Sequence, residues 1–174
     1  MKKIKTKFKN LFIIQGKKFE DKRGFLREVF IEKITKKKLI FSIISKSKKN
    51  VVRGLHMQLK NSQTKYISVL KGKVLDVVVD LRKNSKTFKK FFKIILSDKN
   101  CKSLIIPSGF AHGFLGLDEE NIVLYSCDNY RNKLSERSIK WNDPELKINW
   151  NIKKIIASKK DKSSKSLREF LLKF

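Results

Sequence analysis

Two histidines are the only imidazoles in the 174-residue chain, and both stand in segments suited to a reactive site. His56 lies in the run Val52-Arg53-Gly54-Leu55-His56-Met57-Gln58, which reads as a strand carrying a cation and a base. Strict alternation sends Arg53 and His56 to opposite faces of that strand. Gly54 between them is where a bulge turns both toward one cavity. His112 lies in Pro107-Ser108-Gly109-Phe110-Ala111-His112-Gly113-Phe114, a turn entering a strand, whose glycines let backbone approach a ligand closely. Imidazole titrates near neutrality, so the chemistry indicated is proton transfer at ordinary pH. The competing reading is that each is a satisfied core or loop histidine. A metal site is not expected. The chain has no His-x-His and no CxxC pair, and a carboxylate would have to complete any site built on two histidines.

These residues sit in a strongly basic chain, with 43 Lys and Arg against 16 Asp and Glu and a formal net charge of +27. That charge invites a nucleic-acid footprint. Two features argue against it. The cations are 36 Lys and only 7 Arg, whereas base readout and bidentate phosphate grip favour Arg. They are also spread over the whole chain with abundant Ile and Asn, a composition that AT-rich codons encode. A solvated surface with no specific nucleic-acid partner is expected, one that still attracts polyanions at low salt. At 40% hydrophobic and 34% charged the chain can bury a core, which excludes wholesale disorder. No apolar run approaches the roughly 18–20 residues of a membrane-spanning helix. The basic start Met1 to Lys5 is followed by an apolar stretch, 11–14, too short for a signal peptide. Cys101 and Cys127 make no disulfide framework. A reduced, cytoplasmic protein with no membrane partner is the expectation.

The elements that must position the histidines read as short strands separated by turn signals. Strands are predicted at 25–30, 39–44, 51–58, 65–70, 73–81, 91–96, 101–106, 113–117 and 121–126. Lys71-Gly72 marks a tight hairpin between two of them. In 73–81, Leu75, Val77 and Val79 alternate with Asp76, Val78 and Asp80, which predicts one buried face. Helices are predicted over 32–38 and 164–174. Many short antiparallel strands with few helical patterns imply a β-sandwich or barrel of jelly-roll type.

Several stretches then fall into one pattern. Phe19-Glu20-Asp21-Lys22-Arg23-Gly24-Phe25-Leu26-Arg27-Glu28, Arg53 to Gln58, Val79-Asp80-Leu81-Arg82 with Ser85 and Thr87-Phe88, and Ile106 to Phe114 come first. Leu124-Tyr125, Glu136-Arg137 with Ile139 to Pro144, and Ser158 to Asp161 come after them in order. Together they resemble the dTDP-4-dehydrorhamnose 3,5-epimerase family from about residue 12 to the C-terminus. The resemblance implies an all-β fold, a jelly-roll β-sandwich of the cupin type with short peripheral helices. It implies one domain over 1–174, with a core at about 10–145 and a segment 146–174 that packs back and supplies Asp161. It also implies a cofactor-free and metal-free homodimer acting on a dTDP-linked 4-keto-6-deoxy-hexose. A ketone at C4 acidifies C3 and C5, so inversion needs a base on one face and a proton donor on the other. By resemblance His56 is the base, Asp161 the carboxylate that orients it, and Tyr125 the acid. Lys65 and His112 match groups near the C4 oxygen, where enolate charge develops. Arg53 and Lys160 match pyrophosphate contacts. Arg23 and Glu28 match nucleotide contacts reaching in from the partner subunit, and Glu136 matches a further ligand contact.

The chain departs from that pattern at Phe41 and Ile43, where the family carries Gln and Asn that contact the nucleotide. The segment between His56 and Lys65 is also one residue shorter than in common members. Two alternatives stand beside the double epimerase. One is a C3-only or C5-only epimerase on a related substrate; the other is a non-catalytic basic module that binds nucleic acid through its lysines.

Overall fold

The computed structural model describes residues 1–172. Its first seven strands are β1 (Lys2–Lys5), β2 (Phe12–Gln15), β3 (Lys18–Asp21), β4 (Gly24–Arg27), β5 (Phe41–Ser47), β6 (Val52–Gln58) and β7 (Lys65–Lys71). The remaining six are β8 (Lys73–Asp80), β9 (Phe91–Ser97), β10 (Lys102–Ile106), β11 (Phe110–Gly116), β12 (Asn121–Cys127) and β13 (Glu136–Ser138). The helices are short: α1 (Glu32–Thr35), α2 (Lys159–Lys162) and α3 (Leu167–Leu171).

The strands form two facing antiparallel sheets. One has the order β1-β2-β10-β7-β12-β5, the other β13-β6-β11-β8-β9, and β3 pairs with β4 in a separate hairpin. Neighbours in the sheets that are far apart in sequence, such as β2 beside β10, give the crossed connections of a jelly roll, so the fold is a cupin-like β-sandwich. The core between the sheets joins Ile67, Leu104 and Val123 of the first to Val74, Val78 and Phe114 of the second, all at 0% exposure.

A second core lies on the outer face of the five-stranded sheet. There Leu55, Val77, Val79 and Leu115 pack against Leu146, Trp150, Leu167 and Phe170 of the C-terminal segment. Burial of this apolar face, at about 25 cal/mol per Å² removed from water, is what ties the tail to the sandwich. A third cluster, Ile14, Tyr66 and Ile105, is covered by Val29, Phe30 and Leu39, and Tyr66 Oη donates to the Val29 carbonyl at 2.5 Å.

Strand β8, between β11 and β9, departs from the alternating reading. Both its faces are buried, one toward the other sheet and one toward the tail, so Asp76 and Asp80 are enclosed rather than solvated. Each has a compensating partner, as a buried carboxylate requires. The helix predicted over 32–38 stops at Thr35, because Lys36 takes a left-handed conformation with φ 55° and ends it. The helix predicted over 164–174 is α3, begun by a capping box of Ser166 and Glu169; residues 173–174 lie outside the described residues. Strands β1, β2, β3 and β13 lie outside the predicted segments. They are three or four residues long and carry charged or polar residues, too little for alternation to register.

Candidate active site

The predicted bulge in β6 forms and sets the site. Along β11, His112 pairs with His56 and Phe114 pairs with Arg53, so three steps on β6 face two steps on β11. The extra residue reverses the alternation, and Arg53 and His56 both line the same cleft. Gly54 has φ 144°, and a Cβ there would lie 2.6 Å from the Gly113 Cα; one on Gly113 would lie 2.7 Å from the Arg53 carbonyl oxygen. Two facing glycines are thus what allow β6 and β11 to approach at this point.

The cleft has a volume of about 350 Å³ and opens between the two sheets. On the five-stranded wall, His56 Nε2 lies 2.6 Å from Asp161 Oδ1. Asp161 is in the first turn of α2, where Ser158 caps the helix by accepting from the Asp161 amide at 3.0 Å and donates its hydroxyl to Oδ2 at 2.9 Å. Burial pushes the Asp161 carboxyl up, but the hydrogen bond and charge of His56, the Ser158 hydroxyl and Lys160 outweigh it and hold the carboxyl below its ordinary value. Asp161 is therefore ionised, and in the neutral form of His56 the Nε2–H donates to it, which leaves the lone pair on the other ring nitrogen.

Tyr125 stands on the opposite wall, on β12 of the six-stranded sheet, half-buried and lining the cleft. Burial pushes its phenol well above the ordinary value, so it stays protonated and is a proton donor. Its ring meets His112 edge-on, with centroids 5.9 Å apart. His112 is 3% exposed and holds Asp76 through Nε2 and Oδ2 at 2.8 Å. Lys65 begins β7 and donates from Nζ to the His56 carbonyl at 3.4 Å; burial lowers its pKa. Cys127, its register partner on β12, is a free thiol that burial pushes up to about 11. Among the described residues no group of three His, Cys, Asp or Glu is placed to hold a metal ion.

At the rim, Arg53 donates from Nε to Ser47 Oγ at 2.8 Å and from Nη2 to the Lys46 carbonyl at 3.0 Å. Glu136 on β13 accepts from Arg131 and from Lys160 Nζ, the latter at 3.0 Å. The Arg131 hydrogen bond, with lesser help from Lys160, brings the Glu136 carboxyl down to about 2 against the cost of burial. Phe41 and Ile43 form an apolar part of the same lining.

Eight of the ten predicted site residues thus line one cleft: His56, Tyr125, Asp161, Lys65, Arg53, His112, Glu136 and Lys160. Arg23 and Glu28 do not. Arg23 is in the turn of the β3–β4 hairpin, paired with Asp21 at 2.7 Å and exposed, and Glu28 is exposed just after β4. Sequence reasoning missed Ser158, Asp76 and Arg131. The capping spacing Ser158-x-x-Asp161 was a usable signal for the first. A carboxylate in the middle of the apolar run from Val74 to Val79 was one for Asp76.

Known proteins resemble this chain in sequence and fold. Residues 5–169 match the family model described as dTDP-4-dehydrorhamnose 3,5-epimerase. The dTDP-4-dehydrorhamnose 3,5-epimerase of Salmonella typhimurium is 41% identical over 177 residues, covering 97% of both chains. The crystal structure of the enzyme of that name from Elizabethkingia anophelis matches with a TM-score of 0.89 at 42% identity, covering 97% of each chain. The dTDP-6-deoxy-D-glucose-3,5-epimerase of Legionella pneumophila, solved in complex with dTDP-4-keto-L-rhamnose, matches with a TM-score of 0.91 at 38% identity, over 96% of this chain and 93% of that one. A bulged strand that brings a carboxylate-held imidazole to a cleft it shares with a half-buried phenol, in a chain alike over nearly its whole length, leads to one conclusion: this protein is an isomerase that belongs to the dTDP-4-dehydrorhamnose 3,5-epimerase family.

Proposed function

We propose that this chain inverts C3 and C5 of dTDP-4-dehydro-6-deoxy-glucose, taking one carbon-bound proton at a time through an enolate. The observation that carries the reading is the placement of a base and an acid on opposite walls: His56, held by Asp161, on one sheet and Tyr125 on the other. The free ring nitrogen of His56 removes the hydrogen made acidic by the C4 ketone. Asp161 stabilises the imidazolium that forms, and Tyr125 delivers a proton to the opposite face. Lys65 and His112 are the donors assigned to the C4 oxygen as its charge grows. Arg53 and Lys160 are the cations for the diphosphate.

On this reading residues 1–174 are a single epimerase domain of a cytoplasmic homodimer with no metal, cofactor, membrane or specific nucleic-acid partner. Exposed Phe19, Phe25 and Leu26 on the β3–β4 hairpin and exposed Ile40 and Ile44 at the β5 edge support a pairing surface. Arg23 and Glu28 adjoin that hairpin and are assigned to the neighbouring subunit's cleft. The test is product NMR in deuterated water with dTDP-4-dehydro-6-deoxy-glucose. Deuterium should enter at both C3 and C5 with inversion, and exchange at one carbon alone would refute the double epimerase.

A further inference from the structure

Arg131 has no part in the proposed chemistry, yet it lines the cleft from the loop after β12. Its position is fixed from both sides. The buried Gln58, two residues beyond His56 on β6, donates to the Tyr130 carbonyl at 3.2 Å and accepts from the Asn132 amide at 2.8 Å. The backbone flanking Arg131 is thereby pinned to the strand that carries the base. The side chain is fixed as well: Nε donates to Glu136 Oε1, and Nη2 donates to Oε2 at 3.2 Å. Lys160 Nζ converges on the same Oε2 at 3.0 Å, and the next residue, Asp161, holds His56. The result is two cations gathered on one carboxylate oxygen at the rim, with Arg131 Nη1 making no hydrogen bond among the described residues.

A surface ion pair of this kind contributes little to stability, so the network is better explained by what it presents than by what it holds. A guanidinium fixed through two of its three nitrogens has already lost the freedom that binding would otherwise cost. The triad carries a net positive charge in the cleft that Arg53 also lines, so an anion entering it meets an arranged set of donors rather than mobile lysines. We propose that Arg131 is a further substrate-binding residue of this cleft, presented by Glu136 so that Nη1 donates to the diphosphate of the nucleotide-linked sugar. The proposal rests on the reading of the cleft as a nucleotide-sugar site.

The test compares Arg131→Ala, Arg131→Lys and Arg137→Ala with the unmodified protein. Arg137 is exposed, bonds only to the carbonyls of Leu134 and Glu136, and its replacement removes the same charge a short distance away. Arg131→Ala should raise KM for the 4-keto sugar nucleotide and Kd for dTDP about tenfold, the size of one charge-assisted hydrogen bond, with kcat within about twofold. Arg131→Lys should recover part of the loss, and Arg137→Ala should keep the unmodified values. Binding of thymidine, which lacks phosphate, should be the same for Arg131→Ala as for the unmodified protein. Unchanged KM and Kd in Arg131→Ala, an equal loss in Arg137→Ala, or an equal loss for thymidine would overturn the proposal. If the unmodified protein turned over no dTDP-linked 4-keto sugar yet bound dTDP through Arg131, the epimerase reading would fail and this contact would stand.

Discussion

Replacing Asp161 by Asn keeps the side chain's size and removes its charge, and the neighbours of Asp161 decide how His56 responds. Ser158 uses its hydroxyl proton on Oδ2, so the amide oxygen of Asn is drawn to that side and the amide nitrogen turns to His56. An amide nitrogen only donates, so His56 must accept on Nε2 and carry its proton on the ring nitrogen that faces the cleft. The base is then in the wrong tautomer. The imidazolium also loses a charge-assisted hydrogen bond of 2.6 Å, which contributes about 1.5–3 kcal/mol, a factor of about 10–150. Tautomer exclusion and lost stabilisation together predict a fall in kcat of about 10³–10⁴, as for the analogous change in a hydrolase triad, with KM changed by less than about threefold. Proton NMR in deuterated water reads the effect as slowed exchange at both C3 and C5. A rate within tenfold of the unmodified enzyme would refute the argument and remove Asp161 from proton abstraction.

Three other outcomes are expected. Tyr125→Phe should still wash hydrogen out of the substrate, because His56 is untouched, yet fail to invert; normal product stereochemistry in NMR would require another acid. Gly54→Ala places a Cβ 2.6 Å from the Gly113 Cα at φ 144°, so thermal or urea unfolding should show a loss of about 3 kcal/mol. Unaltered stability there would mean the bulge is not under steric constraint. For Asp80, burial pushes the carboxyl up, but Arg82, Ser85 and Thr87 outweigh it and bring it from 3.8 to about 2. A depressed carboxylate contributes stability that is present above about pH 4 and lost as pH falls toward 2, here about 2 kcal/mol. Urea titrations from pH 6 to pH 2 should therefore show a steeper decline in the unmodified protein than in Asp80→Asn, and parallel curves would contradict it.

Much of the fold was legible because strand formation is written locally. Alternation and turn residues located β5 to β12 within a few residues, but the expected hairpin at Lys71-Gly72 does not form: the turn carries the chain from β7 in one sheet to β8 in the other, and the two strands do not pair. The bulge at Gly54 was also readable, since a glycine between a cation and a base on one strand has few other uses. The short polar strands β1 and β13 gave no pattern, and they exist because β2 and β6 offer them unpaired edges.

The site divides along the same line. Residue types and spacing singled out His56, His112 and Arg53, while resemblance alone directed attention to Asp161, which sits in a lysine- and serine-rich tail. What composition could not contain is the meeting of His56 with a carboxylate 105 positions away. That contact requires Trp150, Leu167 and Phe170 to bury themselves on the outer face of the five-stranded sheet and carry α2 to the cleft. The enclosure of Asp76 and the convergence of Arg131 and Lys160 on Glu136 arise in the same way. A side chain's propensity belongs to its own residue and its neighbours in sequence, whereas its charge state and its partner belong to whatever long-range packing brings against it.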